Sequence, residues 1–115
     1  GMKTTTLIIS RSPLKSLKVA EVLRMGVGLT LCGDSVQALF VDDGVYALLP
    51  TEPGRLGMPE YLRHIETLRM LRHRILAERE SIATRAIDNL SVHAEVLPRE
   101  EIGRLMLSSD CVIRY

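Results

Sequence analysis

The sequence predicts an α/β fold in three layers, α/β/α, built on about five parallel strands. Three observations carry that expectation. Segments of strand and helix character alternate along the chain with short connections, a pattern that implies parallel strands joined by right-handed crossovers. The second strand segment, Ser35 to Val41, is nearly continuous apolar sequence, as expected of a strand covered on both faces. A chain of 115 residues supports one hydrophobic core and not two, so residues 1–115 are read as a single domain.

Each element has its own warrant. Thr4 to Ile9 is rich in β-branched residues and reads as the first strand. Ser12 is a good N-cap and Pro13 a good first helical residue, so a helix is expected from Pro13 to Cys32. Its inward stripe would be Leu17, Ala20, Leu23, Val27 and Leu31, with Lys15, Lys18 and Arg24 largely off it. Gly26 and Gly28 weaken a helix unless the helix packs closely on a sheet, and Gly33 suits its C′ position. After the second strand, Asp42-Asp43-Gly44 is a break, Val45 to Leu49 a helical turn or two, and Thr51 to Met58 a loop containing Pro53, Gly54 and Gly57. Pro59 to Arg72 is the next helix, with Leu62, Ile65, Leu68 and Leu71 inward. His73 to Glu78 is a strand, Ser81 to Ile87 a short helix and Ser91 to Leu97 a strand. Pro98 to Leu107 is a helix and Asp110 to Tyr115 the last strand. This order is that of a flavodoxin-like sandwich.

Composition excludes several functions. Fifteen basic residues face fourteen acidic ones, too even a balance for binding nucleic acid by bulk charge. With three tyrosines, one phenylalanine and no tryptophan there is no platform for stacking bases. Apolar runs are too short for a membrane span and no signal-peptide core is visible, so the expected compartment is the cytoplasm. Gly1 before Met2 reads as a cloning scar. His64, His73 and His93 are scattered and none neighbours a cysteine, so no metal site is expected. No glycine-rich phosphate loop follows the first strand, and no cofactor is expected.

An open parallel sheet binds ligands beyond the carboxyl ends of its strands. That rule nominates Ser10, Arg11 and Ser12 after the first strand, Asp42 and Asp43 after the second, and Glu78 and Ser81 around the end of the third. The serines and Arg11, at a helix N-terminus, would suit an anion. Equally, Ser12 is simply a helix cap, Arg11 a solvated cation, and one of the aspartates a cap for the turn that follows. Residues 60–85 carry Arg63, Arg69, Arg72, Arg74, Arg79 and Arg85, which fit a solvated face with ion pairs or a subunit interface. Of the two thiols, Cys32 lies at a helix C-terminus, the end that disfavours a thiolate, and Cys111 within a terminal strand. Both read as structural, and no catalytic residue is assigned.

Asp42-Asp43-Gly44-Val45-Tyr46-Ala47-Leu48-Leu49-Pro50 resembles the acidic-Gly-Val-aromatic-x-Leu-Leu stretch that follows the second strand of DsrE/DsrF-like proteins. The tail Ser109-Asp110-Cys111-Val112-Ile113-Arg114-Tyr115 is similar to the ending of the DsrF/TusC branch. Chain length and element order agree with that family. The resemblance implies a sulfur-relay role, in which a DsrE/TusD-type subunit carries a persulfide on a cysteine near the end of the third strand. The corresponding segment here, Leu76-Ala77-Glu78-Arg79-Glu80-Ser81, has none. Ser10-Arg11-Ser12-Pro13 also departs from the small, glycine-containing first loop expected of the family. The reading implied is an accessory subunit, in a homo- or hetero-oligomer with related DsrE/DsrF-like subunits. The alternative is a small anionic-ligand-binding or enzymatic domain using the strand-end loops. Sulfur transfer by Cys111 would require the end of its strand to be exposed.

Overall fold

In a computed structural model, which describes residues 3–51 and 56–115, five parallel strands form one sheet. They are β1 (Thr4–Ile9), β2 (Ser35–Phe40), β3 (Arg74–Glu78), β4 (Glu95–Leu97) and β5 (Cys111–Arg114), in the spatial order β4-β3-β2-β1-β5. Helices α1 (Lys18–Leu31), α2 (Glu60–Met70), α3 (Arg79–Thr84) and α4 (Arg99–Leu107) connect them, with a 3₁₀ helix over Asp42–Leu48 between β2 and α2. The predicted sandwich of about five parallel strands is thus the observed one. Gly1, read as a cloning scar, lies outside the described residues, as do Pro53 and Gly54 of the predicted loop.

The strand order follows from crossover handedness. The first three crossovers step in one direction from β1, while the fourth returns across the whole sheet to place β5 on the other side of β1. A right-handed return puts its helix on the opposite face. Two cores result. Leu7, Ile9, Val36, Ala38, Phe40, Ile75 and Ala77 face Val19 and Leu23 of α1, Ile65 and Leu68 of α2, and Val45 and Leu48 of the 3₁₀ helix. Their alternates Ile8, Leu39 and Leu76 face Ile102 of α4. The α4 face is covered apolar surface only towards the carboxyl ends of the strands. Towards the amino ends a polar ladder crosses it: Arg74 donates to Glu95 and Gln37, and Gln37 donates to Thr6.

Several local expectations are corrected. The first helix begins at Lys18 and not at Pro13. Residues 12–16 form a tight turn, in which the Ser12 carbonyl accepts from the amides of Lys15 and Ser16 and the Ser12 hydroxyl accepts from the amide of Leu14. The inward face of α1 is Val19, Leu23 and Gly26, while Leu17 and Leu31 are 90% and 85% exposed. Gly26 meets the packing requirement, since a Cβ there would lie 2.5 Å from Leu7 Cδ1, whereas Gly28 faces open space. Gly33 takes φ +88°, as its C′ role demands. Leu71 is exposed. The third helix runs Arg79–Thr84 and so ends before Ile87. The fourth strand is shorter than predicted, because the amides of Ser91 and Val92 bond to the Leu48 carbonyl and hold that segment, His93 included, off the sheet.

Gly103, in the middle of α4, has nothing among the described residues beyond its own helical turn within 4 Å of an added Cβ. Its replacement by alanine therefore removes the helix penalty of glycine without a clash. Gly103→Ala is expected to raise stability by about 0.5–1 kcal/mol, read as a higher midpoint in urea with unchanged slope.

Candidate functional site at the carboxyl ends of the strands

The nominated residues converge. Ser10, Arg11, Ser12, Asp42 and Asp43 line one cleft of about 330 Å³, together with Lys15 and Ser16. Glu78 and Ser81 join from beneath: the Ser81 hydroxyl donates to Glu78 Oε1 and accepts from the Asp42 amide at 2.8 Å. On the α4 side, Asp42 and Glu78 also border a groove of about 350 Å³. Its floor is Ile8, Leu39 and Val41, and Arg99 and Arg114 stand at its rim. Sequence reasoning missed Lys15, Arg99 and Arg114, and nothing local distinguishes these cations from solvated ones.

Close backbone approach builds the site. Gly44 lies against the end of β1 so tightly that a Cβ there would sit 1.9 Å from the Ile9 carbonyl oxygen. The Val41 amide donates to that same carbonyl, so the pairing of β1 with β2 continues up to the residues from which the 3₁₀ helix departs. Asp42 adopts φ +49°, a left-handed conformation that aspartate tolerates better than most residues. Neither aspartate caps the 3₁₀ helix, contrary to expectation, because the helix already begins at Asp42 with Val41 at the cap position, and Asp43 pairs with Arg85 at 2.9 Å.

Glu78 is the one nominated carboxylate that is buried. Burial pushes its pKa up. Hydrogen bonds from Arg99 and Ser81, with the charges of Arg99 and Arg85, outweigh that effect and hold it below the usual carboxylate value. At neutral pH it is an anion committed to Ser81 and Arg99.

In this topology the strand order reverses between β1 and β5, and a ligand crevice belongs there. Tyr115 occupies it. Its carbonyl accepts from the Ser10 amide at 2.7 Å and the Ser10 hydroxyl at 2.9 Å, and its amide donates to the Ile8 carbonyl at 2.8 Å. Its hydroxyl bonds to the Ser16 hydroxyl, and the Arg11 guanidinium lies over its ring, 5.4 Å from the centroid. The predicted anion site thereby loses two supports: α1 starts too late for its N-terminus to reach Ser12, and the hydroxyls of both Ser10 and Ser12 have intramolecular partners.

The thiols lie elsewhere. Cys32 follows the carboxyl end of α1, just before β2, and Cys111 opens β5 beside Thr5, so both sit at the amino edge of the sheet. Both are exposed, which corrects their reading as buried structural residues. Three of the six arginines in residues 60–85 form ion pairs within the chain: Arg69 with Glu66, Arg74 with Glu95 and Arg85 with Asp43. His73 is used structurally, its Nδ1 accepting from the Val36 amide at 3.1 Å. Among the described residues no group of three or more His, Cys, Asp or Glu side chains is placed to hold a metal ion, and no helix is long and apolar enough to cross a membrane.

No protein-family model matches the chain, and no curated protein matches it in sequence. Among solved structures, the crystal structure of the ychN protein from E. coli superposes with a TM-score of 0.85 at 18% identity, covering 99% of this chain and 100% of that one. At that identity the likeness is one of architecture: the chain has the fold of the ychN protein, the DsrE/DsrF-like form of the flavodoxin-like sandwich.

Proposed function

We propose that this protein is an accessory subunit of a DsrE/DsrF-type sulfur relay in the cytoplasm, assembling with related subunits and carrying no sulfur itself. The fold supports the family, and the sequence of the 42–50 and 109–115 segments supports the DsrF/TusC branch. The observation that carries the reading is the end of β3. Where the resemblance places a sulfur-accepting cysteine, this chain has Glu78 and Ser81. A persulfide forms on a thiolate, and neither a carboxylate nor a hydroxyl substitutes for one.

Cys32 and Cys111 are both exposed, so the thiols are the place to test. The reduced chain, incubated with a persulfide donor and examined by intact-mass spectrometry, is expected to gain no stable adduct of about 32 Da, one sulfur atom, at Cys32 or Cys111. An adduct on either residue that passes on to an acceptor thiol would overturn the accessory role.

A further inference from the structure

We propose that α1 pairs antiparallel with α1 of a second copy of this chain, across a two-fold axis that crosses the helix between Val22 and Leu23. The proposal goes beyond the relay reading and does not depend on it, because it uses the opposite side of α1 from the sheet and none of the strand-end residues.

The outward face of α1 supplies the first observation. Leu17, Glu21, Arg24, Gly28 and Leu31 are all exposed and follow one another at intervals of 4, 3, 4 and 3, the spacing of a coiled-coil seam. Leu14, in the turn before the helix, borders the same groove as Leu17 and is 73% exposed. Leu17 and Leu31, left in water on one line of the helix with Leu14 exposed in the turn beside them, are a patch of the kind that marks an interaction surface.

Gly28 supplies the second. It costs helix stability, yet among the described residues nothing beyond its own helical turn lies within 4 Å of the Cβ it lacks, so packing among them does not explain it. A glycine on an outward helix face admits a bulky side chain from outside.

Charge and order supply the third and select the partner. Glu21 and Arg24 take part in no ion pair among the described residues. The row complements its own reverse: run antiparallel, Leu17 meets Gly28, Glu21 meets Arg24, and Leu14 meets Leu31. Each contact then occurs twice, as a two-fold interface requires. Parallel pairing would instead set Glu21 against Glu21 and Arg24 against Arg24. A groove of about 530 Å³, bordered by Pro13, Leu14, Leu17 and Tyr61, lies at the amino end of α1 where Leu31 of the second copy arrives.

Sedimentation of the full chain over a dilution series tests this. The expected result is a self-associating chain whose association weakens by about tenfold or more in Glu21→Arg and in Arg24→Glu. The double variant E21R/R24E returns to within about threefold of the parent, because the pair re-forms with its signs exchanged. Leu17→Arg abolishes the association while circular dichroism shows the fold intact. A monomer at every concentration, association indifferent to Leu17→Arg, or a double variant no better than the single ones would each overturn the proposal. None of these outcomes bears on sulfur loading, which the intact-mass measurement reads separately.

Discussion

Gly44→Ala is expected to destabilise the protein by about 3 kcal/mol or more, which for a domain of this size lowers Tm by on the order of 10–15 °C. The reason is distance. An alanine Cβ would lie 1.9 Å from the Ile9 carbonyl oxygen and 2.7 Å from its carbonyl carbon. Both are backbone atoms at the end of a buried central strand, and no side-chain rotation relieves the overlap. To make room, the 3₁₀ helix has to lift off β1, which pulls Val45, Ala47 and Leu48 out of the larger core. The Val41 amide would lose its bond to the Ile9 carbonyl as well. Thermal unfolding by circular dichroism checks this, and a Gly44→Ala variant within about 1 kcal/mol of the parent would contradict the packing described.

Glu78→Ala is the second large effect, expected at about 2 kcal/mol at neutral pH. The substitution leaves the Ser81 hydroxyl without its acceptor and Arg99 without its ion-pair partner. Arg99 is largely exposed and recovers part of the loss from water, which keeps the figure below that for breaking a fully buried pair. The effect depends on pH in a definite sense. Glu78 titrates lower in the fold than in the unfolded chain, so its contribution is fully present above the unfolded carboxyl value of about 4.3. It is lost as pH falls through the lower folded value. The stability gap between parent and variant is therefore widest near neutrality and closes below about pH 4. Urea unfolding at a series of pH values reads it, and a gap that widened on acidification would show that the sign is wrong.

Much of this architecture was legible because it is local. Thr4–Ile9 and Ser35–Phe40 declare themselves by β-branched and apolar runs, and Pro59 and Pro98 each stand immediately before the helix they were expected to open. The strand-end rule collected Ser10, Arg11, Ser12, Asp42 and Asp43 into a cleft that the structure does form. What escaped is set by partners distant in sequence. Ser12-Pro13 has the local signature of a helix start, but the loop is tied to Tyr115 through Ser10 and Ser16, and α1 starts after it. The Leu17–Leu31 row has helical spacing as good as that of the Val19–Leu23 side, and spacing alone does not say which side meets the sheet. Gly44 gave no sign beyond its place in the Asp42–Pro50 motif. Its role depends on Ile9, on the neighbouring strand.

The central claim is that this chain assists a sulfur relay without carrying sulfur, and its most direct test is the assembly itself. The protein would be isolated from its native cells and weighed by native mass spectrometry, under reducing and non-reducing conditions. The account predicts a complex with a related subunit of similar size that bears a cysteine near the end of its third strand, with the sulfur adduct of about 32 Da on that subunit and not on this one. A monomer or homo-oligomer with no such companion, or an adduct on Cys32 or Cys111 of this chain, would contradict it.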